Sequence, residues 1–120
     1  MLSINEMSRL FNRGCDSALL IGNFLDEFKN AADEDRRKSV QKPPVNTKGN
    51  KSSYLAAMVE QLCLEYKLDI PAWVNDKKYF LKEPVFYTAF ENLKTVLIQE
   101  SPVPFRRRNI FVSGNALDRV

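Results

Sequence analysis

Apolar residues recur with the period of an α-helix along two stretches of this sequence, and no other feature restricts the fold as strongly. The first stretch places Leu20, Phe24 and Phe28 four residues apart. The second stretch carries these apolar residues on one side: Leu55, Met58, Val59, Leu62, Cys63 and Tyr66. A helix with such a stripe must bury it against neighbouring elements. Only four of the 120 residues are glycine, which disfavours a turn-rich β fold, so the sequence predicts an all-α protein.

Further helices are predicted on either side of these stretches. Ser3 and Glu6 form the capping-box pattern at the start of a first helix, and Gly14 suits its end. Pro84 suits the first position of a later helix, whose apolar residues are Val85, Phe86, Phe90, Leu93, Val96 and Leu97. Ser113 predicts the cap of a last short helix containing Asn115, Ala116, Leu117 and Val120. We therefore expect one domain over residues 1–120, a small helical bundle of about four to five helices.

The apolar pattern fails between the second and third predicted helices. Residues 33–38 are all charged, and the following segment contains Pro43, Pro44 and Gly49 but only two large apolar residues, Val40 and Val45. This composition predicts a long polar loop at about 33–53. Six basic and no acidic residues lie between positions 36 and 51. The loop is therefore either a contact for phosphates or an acidic partner, or a solvated, mobile segment.

Residues 101–112 combine two prolines, three consecutive arginines and a closing apolar run. Pro102 and Pro104 end the preceding helical pattern and favour an extended path, so we predict an extended C-terminal segment beside the bundle. The apolar run at 110–112 resembles a β-strand without an obvious partner. We expect four aromatic residues to be structural anchors: Trp73, Phe86, Phe105 and Phe111.

Several classes of function are disfavoured by what the sequence lacks. Without histidine, Ser–His and Cys–His catalysis and most transition-metal sites are excluded. The phosphate-binding patterns GxxxxGK[ST] and GxGxxG are also absent. We therefore predict a protein that is not an enzyme and has no cofactor or metal, although chemistry based on carboxylates and arginine is left as an alternative.

The sequence also indicates where the protein works. No run approaches the ~18 consecutive apolar residues needed to cross a bilayer, and Glu6 and Arg9 interrupt the apolar start of the chain. Cys15 and Cys63 lack CxxC spacing, which predicts free, buried thiols. These features predict a cytoplasmic protein that does not enter membranes.

An ordered set of short motifs resembles a family of small bacterial and archaeal proteins encoded beside nucleotidyltransferase-like proteins in toxin–antitoxin-type gene pairs. The matching residues are Pro71-Ala72-Trp73, Leu81, Pro84-Val85-Phe86, Leu93, Ser101-Pro102, the run from Phe105 to Val112, and Ala116-Leu117. The resemblance extends over residues 54–120 and is weaker over 19–28. The family tends to have a bulky aromatic residue after the second proline, where this chain has Val85 and then Phe86. The resemblance implies a non-catalytic helical partner, antitoxin-like in role, and transfers no catalytic residue.

Two functions remain in competition at this point. The first is a protein-interaction module that binds a companion protein, and the second is a nucleic-acid-binding regulatory protein. Both would use the same candidate contact residues: Arg106, Arg107, Arg108, Arg36, Arg37 and Lys38. The arginines at 106–108 have a third interpretation, in which they pair with acidic neighbours or cover apolar surface. The net charge of +3 gives the nucleic-acid function only modest support, and the sequence does not indicate the oligomeric state.

Overall fold

Six α-helices and one pair of short strands form the part of the chain described by the computed structural model, residues 1–118. The helices are α1 (Ile4–Asn12), α2 (Ser17–Asn30), α3 (Asp33–Gln41), α4 (Lys51–Glu65), α5 (Lys94–Glu100) and α6 (Val103–Arg106). The strands are β1 (Val85–Phe86) and β2 (Ile110–Phe111), and 3-10 turns lie at Ala72–Asn75, Lys77–Tyr79 and Glu91–Leu93. The predominantly helical character is confirmed. The described residues nevertheless contain six helices rather than four to five, together with a strand pair.

The first two helices begin where their capping residues predict. The hydroxyl of Ser3 accepts a hydrogen bond from the backbone N–H of Glu6 at 3.1 Å, and the carboxylate of Glu6 accepts one from the backbone N–H of Ser3 at 3.2 Å. This reciprocal pair satisfies N–H groups that the first turn of a helix leaves free. Gly14 follows α1 with a φ of 89°, a conformation that glycine adopts without strain. Asp16 caps α2 by accepting from the backbone N–H of Leu19 at 3.2 Å.

Helix α4 is the centre of the core. Residues 55–59 are consecutive and all have no exposed surface, whereas a helix with a single buried stripe would expose part of any such run. Helix α4 contacts α1, α6 and the 3-10 turns at 72–79. Near its two ends, Tyr54 packs edge-on against Phe105 with ring centroids 5.1 Å apart, and Tyr66 packs in the same way against Phe28 at 5.1 Å. Even the charged residue Glu60, which lies outside the predicted apolar stripe, is only 7% exposed.

The prediction of a loop at about 33–53 is wrong over its first half, where α3 forms. Acidic residues occupy the first turn of α3 and Lys38 its last turn, an order that suits the helix dipole. Arg36 pairs with Asp33 at 2.9 Å, and Lys38 pairs with Glu34 at 3.2 Å, both at helical spacing. Val40 is 2% exposed and joins the core. The irregular connection is therefore limited to residues 42–50.

The prediction of a helix that begins at Pro84 is also wrong over its first half. Val85 and Phe86 form β1, which pairs in parallel with β2, so the apolar run at 110–112 does have a partner. The backbone N–H of Val85 donates to Asn109 O at 2.8 Å, and that of Tyr87 donates to Phe111 O at 3.0 Å. These hydrogen bonds between distant segments outweigh the local helical pattern, which is realised only in α5.

Residues 101–112 are not extended throughout, because α6 interrupts them. Proline lacks an N–H and suits the start of a helix, where no N–H partner is needed. Pro102 is the N-cap residue of α6, and Pro104 lies in its first turn. The carbonyl of Pro102 accepts from the N–H groups of Phe105 and Arg106, both at 3.0 Å. After Ser113 the chain forms two successive turns rather than the predicted helix. Val120, the end of that predicted helix, lies outside the described residues.

The two cysteines differ in environment: both thiols are free, but Cys63 is buried and Cys15 is exposed, which corrects the prediction for Cys15. Burial, followed by the nearby charges of Asp69 and Glu60, raises the pKa of Cys63 from 9.0 to about 11. Burial, followed by the neighbouring Tyr87, raises the pKa of Tyr54 from 10.0 to about 12. Both groups on α4 therefore retain their protons in the folded protein at a pH where the unfolded chain loses them.

We expect the free energy of unfolding to fall above pH 9. Below pH 9, Cys63 and Tyr54 hold their protons in both states, and neither makes stability depend on pH. Above it the unfolded state loses a proton first, so stability drops between pH 9 and 11 for Cys63 and between pH 10 and 12 for Tyr54. Each full shift corresponds to about 2–3 kcal/mol. Urea unfolding measures the free energy of unfolding as a function of pH. Above pH 9 it should fall less steeply for Cys63→Ala and Tyr54→Phe than for the wild type. The same fall in all three proteins would contradict a role of these two groups.

Candidate functional site

The three arginines at 106–108 occupy two different environments, because helical geometry continues through them. The backbone N–H of Arg107 donates to Val103 O at 2.9 Å, and that of Arg108 donates to Phe105 O at 3.0 Å. Residues three and four apart share one side of a helix. The exposed side of α6 and its continuation carries Val103, Arg106 and Arg107, and the buried side carries Pro104, Phe105 and Arg108.

Arg108 has no exposed surface and is held by groups from three segments. Its Nη1 donates to Pro104 O at 2.7 Å, and its Nη2 donates to Val74 O at 2.7 Å. Nη1 also forms an ion pair with Glu60 Oε1 at 2.7 Å, although the angle at that contact is outside the range of a hydrogen bond. Burial lowers the pKa of the Arg108 guanidinium, while Glu60 opposes that shift. A fully buried guanidinium has no surface with which to contact a partner. The prediction of Arg108 as a contact residue is therefore wrong.

Arg107 lies between the interior and the solvent. Its Nη1 pairs with Glu60 Oε2 at 2.7 Å, its Nη2 donates to Asn75 Oδ1 at 3.4 Å, and its side chain is 42% exposed. The guanidinium carbon lies 5.2 Å from the centre of the Phe80 ring. One side of the group is therefore engaged with the protein, and the other side is available for a contact from outside.

A segment that carries further exposed charges, three lysines and Asp76, lies beside the end of α6. The segment at 75–82 runs beside residues 107–109, since the N–H of Leu81 donates to Arg108 O at 3.2 Å and the side chain of Asn109 donates to Leu81 O at 2.8 Å. That segment contains three exposed lysines. We call the resulting set the basic face, and its members are Lys77, Lys78, Lys82, Arg106 and Arg107. The lysine cluster is visible in the sequence, but only the pairing with 107–109 brings it beside the arginines.

Exposed apolar residues are concentrated in the segment before α6 and at its start. Within residues 1–118, ten large apolar side chains are exposed, and six of them lie between positions 87 and 103. We call these six the apolar flank: Tyr87, Phe90, Leu93, Val96, Ile98 and Val103. Among these six, Phe90 and Val103 are the most exposed, at 65% and 60%. Single exposed apolar residues are common on proteins, whereas contiguous apolar patches mark surfaces that contact another molecule. These six residues, close together in sequence, are the candidates for such a patch.

The basic residues predicted as contacts on α3 have different surroundings. Arg36 is largely buried, and it donates to the carbonyls of Phe28 at 2.8 Å and Lys29 at 2.9 Å, which satisfies the C-terminal end of α2. Its guanidinium also lies 4.3 Å from the Tyr66 ring centre. Lys38 is exposed but pairs with Glu34, and Arg37 is exposed. Arg36 therefore has a structural role here, and Arg37 and Lys38 lie on a helix that also carries three acidic residues.

The four aromatic residues expected to be anchors all make internal contacts. Phe105 is fully buried against α4. Phe86 stacks on Phe111 across the strand pair, with ring centroids 5.0 Å apart. The indole N–H of Trp73 donates to Val40 O at 2.9 Å, which ties the turn at 72–75 to α3. These contacts hold the segments on which the basic face is built.

Three further observations bear on function. In the part of the chain that the structure covers, no three His, Cys, Asp or Glu side chains are placed to hold a metal ion. None of the helices described is both long enough and apolar enough to cross a membrane. Comparison with known proteins found no matching family model, no matching curated protein and no matching solved structure.

Proposed function

We propose that this chain is a non-catalytic protein-interaction module whose contact surface combines the basic face with the apolar flank. The observation that carries the proposal is the exposed side of α6, where Val103 of the apolar flank and Arg106 of the basic face lie one helical turn apart. Protein interfaces are enriched in aromatic residues and arginine, and their apolar centres are surrounded by charged rims. A cytoplasmic location belongs to the same proposal.

The charges and apolar residues of this surface indicate what kind of surface the partner should have. Arginine forks bind carboxylates in pairs of hydrogen bonds, so the partner should present acidic side chains around an apolar centre. Arg107 already shares Glu60, which leaves Arg106 and the lysines for external carboxylates. The resemblance to antitoxin-like proteins makes a nucleotidyltransferase-like protein encoded beside this chain the first companion to test.

We expect the two proteins to co-elute in size-exclusion chromatography after co-expression, and Arg106→Glu to weaken their complex about tenfold or more. Within residues 1–118 the exposed side chain of Arg106 forms no hydrogen bond or ion pair, so the melting temperature of the variant should stay near that of the wild type. Arg37→Glu is the matched control, because it reverses the charge of another exposed arginine, on α3, and should leave the affinity unchanged. Separate elution would show that this companion is not the partner. Equal loss of affinity in both variants would show that the basic face is not the contact surface.

A nucleic-acid-binding function is the second candidate, since the five cations of the basic face could neutralise phosphates. Val103→Ser distinguishes the two functions. It removes an apolar contact that a protein partner would bury but leaves every charge in place, so it should weaken protein binding and spare nucleic-acid binding. A strongly salt-dependent shift with duplex DNA or RNA, unaffected by Val103→Ser, would favour the second candidate.

A further inference from the structure

A mostly apolar cavity of about 380 Å³ lies between α1, α2 and the first turn of α4. Its apolar walls are formed by Phe11, Ala18, Ile21 and Leu25. Gly22 also lines it and contributes no side chain. Pockets for small molecules usually have volumes of ~300–1,000 Å³ and combine apolar walls with a few converging polar groups. The cavity meets the first condition, so its polar groups decide what could bind there.

The charged side chains that line this cavity are positive. Lys51 lines the cavity and also the adjoining hollow, which contains Lys48 as a second cation. Among the described residues, no Asp or Glu lines either space, and Lys51 forms no ion pair. Its Nζ lies 5.7 Å from the centre of the Phe11 ring, at the apolar wall. An unbalanced cation beside apolar surface favours an anion that carries an apolar body.

Two tyrosines supply further hydrogen-bond donors. Tyr54 and Tyr87 line the cavity with ring centroids 5.2 Å apart, and their hydroxyls form no hydrogen bond within residues 1–118. Burial raises the pKa of both, that of Tyr54 to about 12, so both keep their protons at neutral pH. A lysine ammonium and two protonated phenols can all donate. The complementary group is an ionised carboxylate, which only accepts hydrogen bonds.

We propose that this cavity is a binding site for an apolar carboxylate, with the hydrocarbon part against Phe11, Ile21 and Leu25 and the carboxylate near Lys51, Tyr54 and Tyr87. At the ~30 Å³ that a water molecule occupies in the liquid, the cavity has room for about a dozen non-hydrogen atoms. A straight-chain acid of about ten carbons matches that size. Tyr87 belongs both to this site and to the apolar flank, so the site adjoins the proposed interaction surface there.

The test is isothermal titration of the full chain with decanoate and, separately, with decanol, which has the same hydrocarbon chain but no charge. We expect decanoate to bind with one-to-one stoichiometry and decanol to bind about tenfold or more weakly. Lys51→Gln should weaken decanoate about tenfold and leave decanol unchanged. Lys42→Gln, which removes an exposed lysine that does not line the cavity, is the matched control and should bind both as the wild type does.

A second pair of variants tests the location. Ala18→Trp fills the cavity from an exposed helix position, whereas Leu19→Trp places the same side chain on a neighbouring exposed position that does not line it. We expect only Ala18→Trp to abolish decanoate binding, with both variants melting near the wild-type temperature. No decanoate binding to the wild type, equal binding of decanol, or equal binding by the two tryptophan variants would each overturn the proposal.

Discussion

Replacing Arg108 by methionine should lower the free energy of unfolding by about 3–5 kcal/mol, because it removes the buried one of the two cations that pair with a buried carboxylate. Glu60 is 7% exposed, and its Oε1 lies 2.7 Å from Arg108 Nη1. The substitution also removes donors from the carbonyls of Pro104 and Val74. Arg107 still pairs with Oε2 of Glu60, which prevents the loss from being larger. Urea unfolding followed by circular dichroism measures the effect.

Two controls separate the buried ion pair from simple truncation of a long side chain. Arg106→Met changes an exposed arginine in the same run and should alter stability by less than about 0.5 kcal/mol. Replacing both partners, as Arg108→Met with Glu60→Leu, removes the unpaired charge and should recover most of the loss. A double variant that is no more stable than Arg108→Met alone would contradict the ion-pair explanation.

The buried arginine also determines where its neighbours point. Arg108 ties the end of α6 to α4 through Glu60 and to the 3-10 turn at 72–75 through the carbonyl of Val74. With Arg108 and Phe105 fixed inside, helical geometry turns Val103 and Arg106 outward. The proposed interaction surface therefore depends on an interior contact, and disrupting Arg108 should weaken partner binding as well as stability.

Helices α1, α2 and α4 could be predicted because their signals are local. The capping pair of Ser3 and Glu6, the cap Asp16 and the apolar stripes act within a few residues of one another. Helix α3 also has a local signal, acidic residues first and Lys38 last, but its low hydrophobicity made residues 33–41 resemble a loop. Much of its support comes from elsewhere, because Arg36 binds the end of α2 and Trp73 binds Val40 O.

The remaining differences between the predicted and the observed structure arise from contacts between segments that are distant in sequence. The pairing of β1 with β2 overrides the helical spacing after Pro84, and no local pattern indicates it. The candidate contact residues show the same limit: Arg106, Arg107 and Arg108 are adjacent in sequence, yet Glu60 on α4 decides which of them is buried. Pro102 and Pro104 also suit the start of a helix. A helix that begins there directs the three consecutive arginines to different sides, which is the signal that distinguishes them.

Phe105→Ala should lower the free energy of unfolding by about 3–5 kcal/mol. Phe105 has no exposed surface, and its ring packs edge-on against Tyr54 of α4 at 5.1 Å, so truncation leaves a cavity between α6 and the central helix. Val103→Ala is the matched control, because Val103 lies in the same four-residue helix but is 60% exposed, and its stability should stay within about 0.5 kcal/mol of wild type. The two variants should differ in cause: Val103→Ala should weaken partner binding without lowering stability, whereas Phe105→Ala should lower stability first. Equal losses of stability in urea would mean that α6 is not divided into a core side and a contact side.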